Sequence, residues 1–198
     1  MTLVLIIVGI LVLLAIAVWF TYNRMVSRRN AVDNSWAQIE AALQRRYDLI
    51  PNLVESVKGY AAHEKQTFED VTKARGGAKA AQAPGAQAAA EGFLTQALGR
   101  LMVVAEQYPQ LRATENFQQL QQQLSETEDQ IQITRRVYND TVQTYNTLIQ
   151  QFPASALANQ FHFEPRQFFD APKESEATPE VSFSGDDRPG APAEAPKS

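Results

Sequence analysis

Residues 117–152 read FQQLQQQLSETEDQIQITRRVYNDTVQTYNTLIQQF, which is the most regular stretch of the chain. Apolar and aromatic residues recur there every seven positions, at Phe117, Leu124, Ile131, Tyr138, Tyr145 and Phe152. The companion positions of this heptad are Leu120, Thr127, Thr134, Thr141 and Leu148. No glycine or proline interrupts the stretch. The pattern therefore predicts one long helix that buries an aromatic seam inside a bundle.

Apolar residues upstream follow the same spacing of three or four. One stripe, with Glu64 as its one polar member and an interruption near residues 46–51, runs through Val32, Trp36, Ile39, Leu43, Ile50, Val54, Val57, Glu64, Phe68 and Val71. Pro51 has no amide hydrogen and disfavours a helical residue before it, so we expect the helix to kink or end around residues 48–50. Asp48 would then cap the restarted helix.

Two further segments complete the helical pattern. Residues 76–87 (GGAKAAQAPGAQ) predict a flexible connection. A third helix over about residues 88–107 would end before Pro109, and Thr114 is the expected N-cap of the long helix. The residues that this third helix would bury are Leu94, Leu98, Leu101, Val104 and Ala105. Because no stretch alternates with period two, we predict an all-α protein, an N-terminal transmembrane helix followed by an antiparallel four-helix bundle.

The N-terminal end is a continuous hydrophobic run. Residues 3–20 (LVLIIVGILVLLAIAVWF) carry no charge, and as a helix they span about 27 Å, close to the hydrocarbon thickness of a bilayer. We expect this run to contact membrane lipid. A cleaved signal peptide is the alternative, because residues 15–17 (AIA) resemble a cleavage site, but no basic region precedes the run.

Basic residues follow the run directly and predict its orientation. Arg24, Arg28 and Arg29 come within nine residues of Phe20. Positive charge is retained on the cytoplasmic side, so the N-terminus is expected outside and the bundle in the cytoplasm.

The composition excludes several classes of protein. The 198 residues include no cysteine, which removes disulfides, thiol nucleophiles and Cys-ligated metal sites. A net charge of −4 argues against a nucleic-acid binder. Residues 171–198 hold five of the ten prolines and almost no large apolar side chain, so they predict a disordered acidic tail. The predicted domains are an anchor (1–22), a helical bundle (23–170) and this tail.

Several motifs resemble the LemA family of bacterial membrane proteins. They are YN at 22–23, RN at 29–30, RRYDLIPNLV at 45–54, VKGY at 57–60, HE at 63–64, RRVYN at 135–139, YN at 145–146, FP at 152–153 and FF at 168–169. The resemblance covers about residues 1–170. It implies a single transmembrane helix with a four-helix bundle at the bacterial inner membrane, and it implies no reaction. Members of this family include a protein associated with magnetosome membranes.

Residues that could support catalysis are sparse. His63 and Glu64 begin like the HExxH zinc motif, but the second histidine is absent and the chain has only one other, His162. The glycine pair at 76–77 and the Pro-Gly pair at 84–85 lack the lysine and the strand of a phosphate loop. We therefore predict no catalytic residue, no cofactor, no metal and no small-molecule substrate.

The first candidate interaction site surrounds the expected helix break. It consists of Arg45, Arg46, Asp48 and Asn52. These residues would dock a protein partner or an anionic headgroup. The alternative is local, with Asp48 capping one helix and the arginines lying at the C-terminus of another.

The second candidate site lies beside the aromatic seam. It consists of Arg135, Arg136, Asn139 and Asn146. The two asparagines are seven residues apart and share one helix face. We expect them to hydrogen-bond between helices and fix their register, as a buried asparagine does in coiled coils. A ligand site is the alternative.

Phenylalanines are concentrated at the end of the bundle. Five of the ten lie between residues 152 and 169, at Phe152, Phe161, Phe163, Phe168 and Phe169. Residues 152–170 would fold back and close the bundle by burying these rings. Alternatively they would expose a patch, including Phe168 and Phe169, to the membrane or a second protomer.

These features together predict a membrane-anchored scaffold or adaptor without catalytic activity. Its partner would be a protein, with a second copy of the chain as one option. The alternative is a sensory or regulatory subunit of a membrane protease or kinase, whose helices would populate two packings instead of one. A hydrolase is the third interpretation, and the converging titratable groups that it needs are missing from the sequence.

Overall fold

The computed structural model describes residues 1–169, and no strand occurs in that part of the chain. The helices are α1 (Thr2–Lys58), α2 (Lys65–Ala80), α3 (Pro84–Glu106), α4 (Pro109–Arg112), α5 (Glu115–Gln150) and α6 (Ala154–Gln160). The prediction of an all-α protein with a long apolar N-terminal helix is confirmed. The predicted tail, residues 171–198, lies outside the described residues.

Helix α1 combines the anchor and the first helix of the folded domain without a break. Residues 1–20 are all exposed, and they form the one segment within residues 1–169 that is long and apolar enough to cross a membrane. Burial begins at Met25 and continues at Val32 and Ile39, which are 0–2% exposed. The apolar segment and the part of α1 that enters the core therefore belong to one continuous helical rod.

Helix α1 does not end at Pro51, and another helix supplies a donor for the carbonyl that proline leaves free. Helix α1 runs through Pro51 to Lys58, so Asp48 lies within the helix and caps nothing. Pro51 cannot donate to the carbonyl of Tyr47, four residues earlier. The side chain of Arg75 on α2 donates instead, from Nε to the Tyr47 carbonyl at 2.8 Å. A buried carbonyl without a donor is costly, and this contact removes that cost.

The flexible connection expected over residues 76–87 is also largely helical. Helix α2 continues through Gly76 and Gly77, and α3 begins at Pro84, a favoured first helical residue, so only residues 81–83 connect them. Glycine inside a helix costs about 1 kcal/mol. Tertiary contacts oppose that cost, since Ala78 at the end of α2 and Gln87 at the start of α3 are both buried. The predicted core residues of α3, from Leu94 to Ala105, are buried as expected.

The helices pack as two antiparallel pairs. Trp36 of α1 contacts Tyr138 of α5 at 5.3 Å between ring centroids, and Arg46 further along α1 contacts the earlier residue Glu128, so these helices run in opposite directions. Asp70 of α2 likewise contacts Arg100 of α3. The arrangement of both pairs as one antiparallel four-helix bundle stays a prediction.

The seam of α5 departs from a strict heptad after Tyr138. Its buried residues are Phe117, Leu120, Thr127, Ile131, Thr134, Tyr138, Val142, Tyr145 and Ile149. From Ile131 onward they repeat every eleven residues, which matches an almost straight helix better than a period of seven does. Phe152, predicted to continue the seam, lies beyond the end of α5 and is 87% exposed. Thr114 is the N-cap residue of α5, as predicted, but its hydroxyl donates to the Leu111 carbonyl and makes no capping hydrogen bond.

Candidate functional site

A buried cation joins three helices at the middle of the domain. Arg46 is 4% exposed, and its guanidinium contacts Glu91 of α3 at 3.0 Å and Glu128 of α5 at 3.2 Å. The same group donates to the Thr95 hydroxyl at 2.9 Å. Because Arg46 belongs to α1, these contacts hold the α1–α5 pair against the α2–α3 pair.

The neighbouring residue extends this set into a network. The Tyr47 hydroxyl donates to the second carboxylate oxygen of Glu91. The Gln87 amide donates to the Tyr47 oxygen at 2.8 Å and to the Ala78 carbonyl at 3.0 Å. We call Arg46, Tyr47, Gln87, Glu91, Thr95 and Glu128 the Arg46 network. Burial raises the pKa of Tyr47, and its hydrogen bond to Glu91 raises it further, so the hydroxyl keeps its proton and acts as a donor.

The Arg46 network is suited to fixing geometry. Among buried side-chain nitrogen and oxygen atoms of residues 1–169, only Nε of Arg46 lacks a hydrogen-bond partner. A buried ion pair adds little net stability, but a wrong packing would leave its charges unpaired, so it favours one arrangement. The two carboxylates of the Arg46 network, Glu91 and Glu128, are held by hydrogen bonds and ion pairs. Within residues 1–169 no three histidine or acidic side chains are placed to hold a metal ion.

The first cluster expected from the sequence contributes one residue to this network. Arg45, Asp48 and Asn52 are exposed, and only Arg46 points inward. Asp48 accepts a hydrogen bond from Gln44 on the same helix at 2.7 Å. Successive helical residues are rotated by about 100°, so adjacent arginines face different directions. Their role in docking a partner stays a prediction.

Sequence reasoning missed Gln87 and Glu91, although a signal was present. Both are only 6% exposed, and both lie on the same stripe of α3 as Leu94, Leu98 and Leu101. Extending that stripe toward the N-terminus by steps of three and four reaches Glu91 and then Gln87. Polar residues at core positions require partners, so they indicate a buried network.

A second arrangement covers the groove between α1 and α5. The strap, residues 161–169, follows α6 and is held by side chains of α5. Asn146 makes two hydrogen bonds to the backbone of Arg166, donating to its carbonyl at 2.9 Å and accepting from its amide at 2.8 Å. Asn139 accepts from the Phe169 amide at 2.9 Å. These asparagines therefore bind an extended segment. The sequence pattern instead predicts that they form hydrogen bonds between two helices.

Two tyrosines of the seam add further contacts to the strap. Tyr138 donates to the Gln167 carbonyl at 2.8 Å, and Tyr145 donates to the Glu164 carbonyl at 3.0 Å. Burial raises the pKa of both phenols. Arg166 of the strap contacts Asp33 of α1 at 2.9 Å, so the strap joins both helices.

The phenylalanines near the strap divide between the two predicted roles. Phe163 and Phe169 are buried, with Arg29 over the ring of Phe163 at 5.0 Å and Trp36 against Phe169 at 6.0 Å. The exposed rings are Phe152, Phe161 and Phe168. The prediction that these rings close the bundle therefore fits Phe163 and Phe169. The prediction of an exposed patch fits the other three rings.

The arginines of the second cluster lie on different sides of α5. Arg135 donates from Nε to the Phe169 carbonyl at 3.1 Å, and its guanidinium lies 6.0 Å from the Phe169 ring centroid. Arg136 is exposed and contacts the Gln132 carbonyl of its own helix at 3.4 Å. The structure thus brings Arg135, Asn139 and Asn146 together along the strap and leaves Arg136 outside.

We expect Asn146→Ala to loosen the strap. The substitution removes both hydrogen bonds to Arg166, which should cost about 1–2 kcal/mol and speed amide exchange in the strap roughly tenfold. Hydrogen–deuterium exchange of the full chain in detergent measures this. Asn52→Ala, at an exposed position of α1, is the matched control and should leave strap exchange unchanged. Equal exchange in the Asn146 variant and the parent would show that the strap is held by other contacts.

Comparison with known proteins assigns the chain to a family. The model of the LemA family matches residues 35–183, about three quarters of the sequence. The chain belongs to the LemA family. It therefore has the family membership that its motifs suggested, and the match includes the Arg46 network and the strap.

Relatives of this LemA-family chain include proteins of magnetosomes. It is 29% identical to Magnetosome protein MamQ 2 of Paramagnetospirillum magneticum and to Magnetosome protein MamQ of Magnetospirillum gryphiswaldense, each over 75% of the chain and 64% of the relative. It is 26% identical to Protein LemA of Metamycoplasma hominis, over 69% of the chain and 63% of the relative. The chain thus spans slightly less than two thirds of the length of these relatives.

The structure and the family agree on a membrane-associated helical protein. The exposed apolar part of α1 is the candidate membrane segment, and the rest of α1 packs with the helices that follow it. Neither the family name nor the names of these relatives are those of enzymes.

Proposed function

We propose that this LemA-family chain is a non-catalytic scaffold or adaptor that holds a protein partner at a set height and orientation above the membrane. The observation that carries the proposal is the continuity of α1, a single helix of 57 residues. Its first part is exposed and apolar, and the part from Met25 onward is core. The anchor and the domain are joined by helix. A flexible linker at this place would let the domain turn freely.

Helix α1 also determines the reach of the domain. From Phe20 to Lys58 a helix rises about 57 Å. The Arg46 network lies about two thirds of the way along this length, about 39 Å from Phe20, and fixes the α2–α3 pair against the rod. A surface on α2 and α3 would therefore have a defined distance from the lipid.

The partner surface that we favour is the outer face of α2 and α3. A groove of about 390 Å³ lies there, lined by Ala74, Gly77, Ala90, Phe93 and Ala97 among others. Phe93 is 67% exposed, and a Cβ added at Gly77 would meet no atom within 4 Å. Small residues let a helix approach closely, and an exposed aromatic ring is a common anchor of interfaces. A helix of a protein partner fits this groove.

The proposed location is the cytoplasmic face of the bacterial inner membrane. Arg24, Arg28 and Arg29 follow the apolar segment, and cationic residues are retained on the cytoplasmic side. A cysteine introduced at exposed Gln96 would then be shielded from membrane-impermeant thiol reagents in intact spheroplasts and labelled after lysis. Labelling in intact spheroplasts would reverse the orientation.

Site-specific photo-crosslinking in cells tests the scaffold role. A photoreactive residue at position 93 should give a discrete protein adduct, whereas one at Val137, which is 44% exposed on α5, should give none. Ala90→Arg should abolish the adduct while the chain stays in the membrane with unchanged helix content. An adduct with a second copy would identify the partner as the chain itself. Equal crosslinking from both positions would contradict a specific partner surface.

A regulatory subunit is the second candidate, and the observation behind it is that the Arg46 network consists of ionisable groups. The α2–α3 pair is held against α1 through ionisable groups, whose pairing a partner could alter. Spin labels at exposed positions of α3 and α5, such as Gly99 and Arg136, report the separation of the two pairs in the full chain. One narrow distance distribution supports the scaffold, and two populated distances support the regulatory subunit.

A further inference from the structure

A polar groove lies at the end of the domain that is nearest the apolar part of α1. It has a volume of about 350 Å³ and lies between α1 and α5. Two arginines of α1 line it together with uncharged polar residues of α5 and of the position just after α5, namely Arg24, Arg28, Gln143, Thr144, Thr147 and Gln151. We call these residues the arginine groove. Its lining contains no aspartate or glutamate.

The two arginines of this groove have no acidic partner among the described residues, in contrast to several other arginines of the packed domain. Arg46, Arg100 and Arg166 each contact a carboxylate, and Arg29 lies over the ring of Phe163. Arg24 and Arg28 are exposed, and within residues 1–169 they make no ion pair or side-chain hydrogen bond. They are four residues apart on one helix, so their guanidinium groups lie on the same face. The groove therefore presents two positive charges without an acidic neighbour.

The position of the groove relative to the anchor points to a ligand in the membrane. Arg24 follows Phe20 by one helical turn, a rise of about 6 Å, which corresponds to the depth of the headgroup layer. Side chains on a helix lean toward its N-terminus, and the N-terminus of α1 is the membrane end. Both arginines therefore lean toward the lipid. Leu148 also lines the groove, and Phe152, which is 87% exposed, follows Gln151.

We propose that the arginine groove binds the phosphate of an anionic phospholipid headgroup. Arg24 and Arg28 supply charge-assisted hydrogen bonds, for which planar guanidinium groups suit phosphate geometry. The Thr147 hydroxyl and the Gln151 amide act as further donors, while Leu148 and exposed Phe152 contact the acyl chain. Such a lipid would join α5 to the membrane at a second point and hold the domain upright. This binding site is independent of the partner surface on α2 and α3.

Lipid retention by the full chain tests the site. The protein is reconstituted in bilayers with equal parts of phosphatidylcholine and phosphatidylglycerol, extracted gently in detergent, and its bound lipid is measured by native mass spectrometry. We expect selective retention of phosphatidylglycerol, falling about tenfold in the Arg24→Gln/Arg28→Gln variant. The control Arg45→Gln/Arg112→Gln removes two exposed arginines outside the groove lining, with the same change of charge, and should retain the lipid as the parent does.

Two further measurements distinguish a specific lipid site from general electrostatic attraction and from a site for free phosphate. Thr147→Val/Gln151→Leu changes the opposite wall without altering charge, and it should lower retention severalfold while circular dichroism stays unchanged. Excess inorganic phosphate should not displace the lipid. The proposal is overturned by equal retention of both lipids, by equal losses in the two arginine variants, by full retention in the α5 variant, or by displacement with inorganic phosphate.

Discussion

Arg46→Met is expected to lower the free energy of unfolding by about 3–5 kcal/mol. The substitution leaves the Glu91 carboxylate buried, at 6% exposure, with only the Tyr47 hydroxyl and the Gln87 amide as partners. An unpaired buried charge costs far more than the intact pair contributes. Denaturant unfolding of the full chain in detergent, followed by circular dichroism, measures the loss.

Neighbouring and paired substitutions distinguish this cause from a simple loss of charge. Arg45→Met removes the same charge at an exposed position one residue away, and it should change stability by less than about 0.5 kcal/mol. Replacing both Arg46 and Glu91 by methionine should recover much of the loss, because no buried charge is then left without its partner. Similar effects of Arg45→Met and Arg46→Met would show that the network is not buried in solution.

Tyr138→Ala should destabilise the domain by about 3–5 kcal/mol. Its ring is 3% exposed and packs on Trp36 at 5.3 Å, and its hydroxyl donates to the Gln167 carbonyl at 2.8 Å. Truncation removes a core ring, leaves a cavity and frees the strap at one point. The same unfolding measurement quantifies the loss, and amide exchange should rise around Gln167.

Two controls resolve the contributions of ring and hydroxyl. Tyr138→Phe keeps the ring and should cost about 1 kcal/mol, the typical worth of one hydrogen bond. Val137→Ala lies on the exposed side of the same helix, with 44% exposure, and should have little effect. An unfolding curve of Tyr138→Ala that overlays that of the parent would place the seam in solvent.

The continuity of α1 links these measurements to function. The domain is joined to its anchor by helix. It can present the α2–α3 face in a single orientation provided that the Arg46 network holds α2 and α3 in place. Arg46→Met should therefore also weaken crosslinking from position 93. The arginine groove acts at the other end of the rod, where a lipid would support α5.

The helices were predictable because their signals are local. Ile131, Tyr138 and Tyr145 reveal the buried face of α5 through their spacing alone, and the structure buries all three. The same logic failed at Phe152, since a heptad extrapolated past Tyr138 ignores the shift to a period of eleven. It also failed at Gly76 and Gly77, where burial of nearby residues outweighs glycine's preference for loops.

Contacts between polar groups distant in sequence were not predictable in this way. A proline inside a helix leaves the carbonyl four residues earlier without its usual donor. Here the carbonyl is that of Tyr47, and its donor is Arg75, 28 residues later in the sequence. Asn146 shows the same limitation, because its partner is the backbone of Arg166 and no periodic pattern marks that residue. A polar side chain reveals that it needs a partner, but its neighbours in sequence do not reveal which one.

The amino-acid sequence by itself determined the helical class, the apolar anchor, the aromatic seam and the family, because each depends on composition, motif or spacing within a few turns. Only the tertiary structure decided that α1 continues through Pro51, that Arg46 joins three helices, and that asparagines of α5 hold the strap. The physical reason is range. Hydrophobic periodicity acts over one turn of helix, whereas hydrogen bonds and ion pairs are completed by whichever groups folding brings within about 3 Å.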